Sequence, residues 1–128
     1  MQQLLQPESK EARMKLITDE IRNILLTNGQ ANAGREETID FNPAVKLFCP
    51  WGAATWLLTE LDPEDPDIAF GLCDLGMECP ELGNVRISEL EELRGPGGLT
   101  IERDLFFTAH KTLSGYADEA QRLGRIDA

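Results

Sequence analysis

Apolar residues recur at helical spacing near both ends of the chain, and short runs rich in strand-forming residues lie between those ends. The first pattern predicts a helix over about residues 19–27, in which Thr18 is the N-cap and Gly29 belongs to the carboxyl-terminal stop. The second pattern predicts a helix over about residues 114–123 that ends at Gly124. Two main helices are therefore expected to flank a region of strands.

The runs between these helices are rich in β-branched and aromatic residues and are bounded by Gly, Pro and acidic residues. The predicted strands cover residues 44–49, 54–61, 68–74, 82–87 and 100–107. Residues 62–67 are predicted to form a loop, because two prolines and four acids are unsuited to the interior of a sheet. Ser88 and Glu91 match a capping box and predict a short helix after the fourth strand.

The order of these elements predicts the fold class α+β, with an antiparallel sheet of about five strands and two main helices on one face. A chain of 128 residues fits one domain. We therefore assign residues 1–13 to a flexible N-terminal arm and residues 14–128 to a single α+β domain. The residues expected in or beside the core are Trp56, Leu58, Phe70, Leu72, Ile101, Leu105, Ile21 and Leu25.

Charge adds a functional constraint, because the chain has a formal net charge of −11 and much of that charge lies in one block. Residues 47–85 contain eight carboxylates and neither Lys nor Arg. A compact acidic surface repels phosphate and attracts basic surfaces. The block therefore argues against nucleic acid as a direct ligand, and it favours either a basic protein partner or a role in solubility alone.

The residues predicted to bind such a partner are a turn tryptophan and the acids of the block. They are Trp51, Glu60, Asp62, Glu64, Asp65 and Asp67. Trp51 lies between Pro50 and Gly52, so it is expected to be exposed and to anchor an interface beside the acids. Calcium binding is the weaker alternative, because the acids lack the spacing of an EF-hand loop.

The candidate reactive residues are few. Cys49, Cys73 and Cys79 lack zinc-site spacing, so we expect reduced thiols, no metal and no cofactor. The single histidine, His110, could act as a general base only beside an acid or a thiol. The chain shows neither a signal-peptide pattern nor an apolar run long enough to span a bilayer, which predicts a cytoplasmic protein without a membrane partner.

The stretch GAATWLLTELDPEDPDIAFGLCDLG, which begins at Gly52, resembles the core of a family of small bacterial proteins. That family is classed only as a domain of unknown function, and the resemblance covers nearly everything after Arg13. Its members occur mostly on plasmids, integrative elements and phage-related islands. The resemblance therefore implies a mobile-element setting, and it assigns no catalytic residue.

Two functions remain as alternatives. The first, which we favour, is a non-enzymatic acidic interaction protein of a mobile genetic element. It would dock on the basic, nucleic-acid-binding surface of a host or element-encoded protein, and anti-restriction or other anti-defence activity by DNA mimicry is one instance. The second is a small enzyme or enzyme accessory that uses His110 with a nearby acid or thiol. A concave pocket that joins His110 to Asp or Cys would favour the second.

Overall fold

The computed structural model describes residues 15–128, so the predicted arm over residues 1–13 lies outside the described residues. The predicted α+β class and the five-stranded antiparallel sheet are confirmed. In chain order the elements are α1 (Asp19–Asn32), β1 (Val45–Phe48), β2 (Thr55–Asp62), β3 (Asp65–Asp74), β4 (Glu81–Arg86), α2 (Ile87–Glu92), β5 (Glu102–Arg103) and α3 (Leu113–Leu123).

The strands follow the order β4-β3-β2-β1-β5, and every neighbouring pair is antiparallel. Strand β5 is much shorter than predicted, because the carboxylate of Asp104 accepts a hydrogen bond from the backbone N–H of Phe106 and closes a turn there. The turn takes the chain off the sheet and leaves Leu105 73% exposed. The prediction that Leu105 belongs to the core is therefore wrong.

The two main helices pack on opposite faces of the sheet, so the prediction that both lie on one face is wrong. Helix α1 covers the face that contains Leu58, and helix α3 covers the face that contains Leu57. Both of these neighbouring leucines are fully buried, because a strand covered on both sides buries both of its side-chain rows. The other predicted core residues are buried or packed against the core: Trp56, Leu72, Ile101, Leu25, Phe70 and Ile21.

Helix α1 begins as predicted, with the Thr18 hydroxyl accepting a hydrogen bond from the N–H of Ile21 at 3.1 Å. It does not stop at Gly29 but continues to Asn32. A Cβ atom at Gly29 would lie 1.8 Å from the backbone oxygen of Leu61. The glycine therefore permits close contact between the helix and β2 rather than ending the helix.

The segment after α1 passes from one face of the sheet to the other beside β2. Leu58 is the last residue of β2 that pairs with β1, so the remaining residues of β2 extend beyond the edge of β1. The side chain of Asn28 donates a hydrogen bond to the backbone oxygen of Thr59 at 2.9 Å. On the other face, the backbone oxygen of Phe41 accepts a hydrogen bond from the N–H of Leu113 at 2.9 Å. This segment therefore forms one wall of the concave region described next.

Candidate docking site

The β2–β3 hairpin brings three of the predicted acids together. Glu60, Asp62 and Glu64 line one cavity of about 480 Å³ beside the carboxyl end of α1. Residues 62–67 form a tight hairpin rather than the predicted loop, and the carboxylate of Asp62 accepts a hydrogen bond from the N–H of Glu64 at 2.9 Å. Pro66 is tolerated because it lies where the pairing between β2 and β3 is irregular.

Asp65 and Asp67 instead contact other residues of the same protein. Both carboxylates form ion pairs with Arg86, at 3.1 Å and 3.5 Å respectively. Asp67 also accepts hydrogen bonds from the hydroxyl of Ser88 at 2.6 Å and from its N–H at 3.0 Å. The Ser88 hydroxyl, with the further help of Arg86, holds the pKa of Asp67 below its ordinary value.

These contacts correct the expected capping box. The N-cap residue of α2 is Arg86, and its side chain makes no cap hydrogen bond. The carboxylate of Asp67 on β3 accepts a hydrogen bond from the N–H of Ser88, which is a free N–H group at the start of α2. Among the described residues, no side chain adjacent in sequence takes this role.

Trp51 is not beside the acids. It lies in the β1–β2 turn, whereas the acidic hairpin follows the other end of β2. A strand of eight residues separates the two places by roughly 25 Å. The Trp51 ring is half-buried against the core on the α1 side, and a Cβ atom at Gly95 would lie 2.3 Å from it. The expectation of an exposed tryptophan next to the acids is wrong, because sequence neighbours at the two ends of a strand are far apart in space.

A second cavity of about 450 Å³ adjoins the first, and the two share Glu60 and Phe70. We call the two cavities together the groove. Apolar side chains dominate the second cavity: Ile39, Phe41, Phe70, Leu82 and Leu113. None of the residues that line either cavity is Lys or Arg. The groove therefore combines an apolar part with a part in which every charged lining residue is acidic.

Buried Asn32 fixes the acidic part of the groove. Its amide nitrogen donates hydrogen bonds to a carboxylate oxygen of Glu60 at 3.0 Å and to the backbone oxygen of Ile39 at 3.2 Å. Its amide oxygen accepts a hydrogen bond from the N–H of Ile39 at 2.7 Å. The last turn of α1 contains no basic residue to offset the partial negative charge of its carbonyl groups.

Asp40 is a further acid of the groove, and the sequence does not indicate its role, because the pattern over residues 30–42 predicts only a loop. It lines the apolar cavity and accepts hydrogen bonds from the hydroxyl and the N–H of Ser114. Burial alone would raise its pKa, but the hydrogen bonds from Ser114 outweigh burial and lower the pKa. The apolar residues Ile39 and Phe41, which alternate with polar neighbours, were the available signal for this segment.

A family model described as a protein of unknown function, DUF2958, matches residues 16–127. The chain belongs to this family. The membership agrees with the resemblance to an uncharacterised domain family. No curated protein and no solved structure matches the chain. Within residues 15–128, no helix combines the length and the apolar character that a membrane crossing requires.

In this family member, His110 is exposed and lies away from the groove. It lines a separate cavity of about 690 Å³ together with Asp104 and Asp127, but no cysteine lines that cavity. The backbone N–H of His110 donates a hydrogen bond to the hydroxyl of Tyr116 at 3.0 Å. Among the hydrogen bonds and ion pairs of residues 15–128, none involves the imidazole. The structure therefore places acids near His110 without an acid that orients it.

The cysteines lie apart from the groove as well. Cys49 and Cys73 are half-buried, Cys79 is exposed, and all three are free thiols. Burial raises the pKa of the Cys73 thiol. In the part of the chain that the structure describes, no group of three or more His, Cys, Asp or Glu side chains could hold a metal ion.

Proposed function

We propose that this protein is a non-enzymatic interaction protein that docks on a basic surface of another protein. The observation that carries the proposal is the cavity in which Glu60, Asp62 and Glu64 converge with no Lys or Arg among the lining residues. Three carboxylates in one concavity concentrate negative potential there. The carboxyl end of α1 adds partial negative charge on the same side. A Lys or Arg side chain is the group that such a site attracts most strongly.

Two of the three acids are also held in position before any partner arrives. Glu60 is fixed by Asn32, and Asp62 is fixed by the hairpin turn. A carboxylate that is already oriented loses less conformational freedom when it accepts a hydrogen bond from a cationic donor. The enzyme alternative keeps the support of the cavity that joins His110 to Asp104 and Asp127. That support is weaker, because the imidazole of His110 makes no hydrogen bond among the described residues.

The setting that we propose is a mobile genetic element within the bacterial cytoplasm. The resemblance to small proteins of plasmids and phage-related islands supports this setting. In it, the partner would be a host or element-encoded protein that binds nucleic acid, because such a protein presents the basic surface that the acids require. The carboxylates would then occupy the place of DNA phosphates. Anti-restriction or another anti-defence activity is the consequence that we propose.

The test begins with capture of partners from the native host by the tagged full chain. Affinity for the captured protein is then measured at two salt concentrations. The variant replaces the three converging acids by amides: Glu60→Gln, Asp62→Asn and Glu64→Gln. Amides keep the acceptor oxygens that Asn32 and the hairpin turn use, so the fold should persist. Asp65 and Asp67 stay unchanged because they support α2.

We expect the triple variant to lose at least tenfold in affinity, and we expect wild-type affinity to fall steeply with salt, because charge-assisted contacts are lost and screened. A matched control changes three acids of helix α2, Glu89→Gln, Glu91→Gln and Glu92→Gln, which alters the net charge equally. Equal losses in the two triple variants would mean that overall charge matters and the cavity does not. Unchanged binding in both variants would refute docking through acids.

A further inference from the structure

We propose that the groove binds a short segment of the partner that presents an apolar side chain next to a Lys or Arg. The inference rests on the proposed function, because it names the part of a basic partner that contacts this site. It goes beyond that function because the acids alone would accept any cation. The apolar half of the groove adds a second requirement.

The apolar half is accessible to such a side chain. Leu82 is 48% exposed and Ile39 is 41% exposed, and both line the second cavity with half-buried Phe70. Helix α3 covers Leu57 and Leu72 on this face, whereas Leu82 on the outermost strand β4 keeps much of its surface exposed. An apolar side chain placed in this cavity would remove its own apolar surface and that of the cavity from water.

The charge of the groove selects the rest of the segment. Glu60, Asp62 and Glu64 line the first cavity, Glu60 and Asp40 line the second, and no basic residue lines either cavity. An acidic segment would be repelled, and a purely apolar segment would offer the carboxylates no cation. A segment in which Lys or Arg lies beside the apolar side chain fits both the acidic part and the apolar part of the groove.

The spacing in the partner also follows from the groove. Glu60 and Phe70 are directly paired across β2 and β3, and both line both cavities. Side chains in such a pair lie about 5 Å apart. The basic and apolar side chains of the partner must therefore be neighbours on one face of its segment. Positions i and i+2 of an extended segment or i and i+4 of a helix meet this requirement.

The test uses a random library of 12-residue peptides selected against the immobilised full chain. We expect the enriched sequences to combine an apolar residue with Lys or Arg at one of these spacings. The enriched peptides, made synthetically, are then titrated against variants of the full chain. The double variant Ile39→Ser with Leu82→Ser should weaken binding at least tenfold, and so should the triple acid-to-amide variant.

The matched control replaces two exposed apolar residues elsewhere, Leu105→Ser with Phe106→Ser, and should leave the affinity unchanged. Thermal unfolding of each variant checks that the fold persists, which is expected for the apolar replacements because those side chains are exposed. Enriched peptides that are basic but insensitive to the Ile39 and Leu82 changes would overturn this inference and leave the proposed function standing. Apolar peptides insensitive to the acid changes would count against both.

Two further outcomes would also overturn the inference. One is the absence of any enriched sequence. The other is concentration-dependent dimerisation of the wild-type chain, measured by sedimentation, that Leu82→Ser abolishes. That result would assign the apolar half of the groove to a second copy of the chain instead of a basic segment.

Discussion

Replacing Gly29 by alanine should destabilise the protein, although the same change in an exposed helix normally stabilises by about 1 kcal/mol. The new Cβ atom would lie 1.8 Å from the backbone oxygen of Leu61, well inside the ordinary contact distance of 3.4 Å. Because the clash is with backbone, no rotamer change relieves it, and the helix must move away from β2. Overpacking of this kind costs up to about 3 kcal/mol.

Movement of the helix also weakens the hydrogen bond from Asn28 to Thr59, which is worth about 1 kcal/mol. With the gain in helix propensity subtracted, we expect a net loss of about 3 kcal/mol in the free energy of unfolding. Urea unfolding followed by tryptophan fluorescence measures it. Gly83→Ala is the control, because no atom lies within 4 Å of its Cβ position. A Gly29→Ala protein as stable as the wild type would refute the close contact between α1 and β2.

Two further predictions concern other parts of the fold. Asp67→Ala should lower stability at pH 7 by about 1 kcal/mol, the usual value of an N-cap side chain. Folding lowers the pKa of Asp67, so its contribution to the free energy of unfolding is complete above the unfolded carboxyl pKa of about 3.9. The contribution disappears as the pH falls through the pKa of the folded state. Wild type and variant should therefore converge in stability in strong acid. In alkylation at pH 8, Cys79 should react faster than Cys73, which is half-buried with a raised pKa; equal rates by mass spectrometry would contradict this placement.

Much of the sheet was predictable, because its strands consist of strand-forming residues between clear turn signals. The faces of the helices were not. Leu57 and Leu58 are both apolar, so β2 shows no polar side that would mark one face as exposed. The long connections before β1 and before α3 allow a helix to reach either face. The sequence therefore indicates that helices pack on the sheet without indicating where.

The candidate site was predictable in part for a related reason. Glu60, Asp62 and Glu64 meet because alternate residues of one strand and its turn share a side. Asp65 pairs with Arg86, and Asp67 pairs with Arg86 and Ser88. Only the pairing of β3 with β4 brings these partners close to the acids. Local patterns locate an acidic run, whereas tertiary contacts decide which of its charges remain available.

The central position of β2 and β3 has a consequence for motion. The central residues of β2 and β3, such as Leu57 and Leu72, have paired strands on either side, and a helix covers each face there. We therefore expect their amide protons to exchange with solvent only on global unfolding. Strand β4 is paired on one side alone, and much of it is exposed. The groove thus lies beside the protected centre of the sheet, and its margin is expected to open locally. An incoming segment can displace that margin while the core of the sheet stays intact.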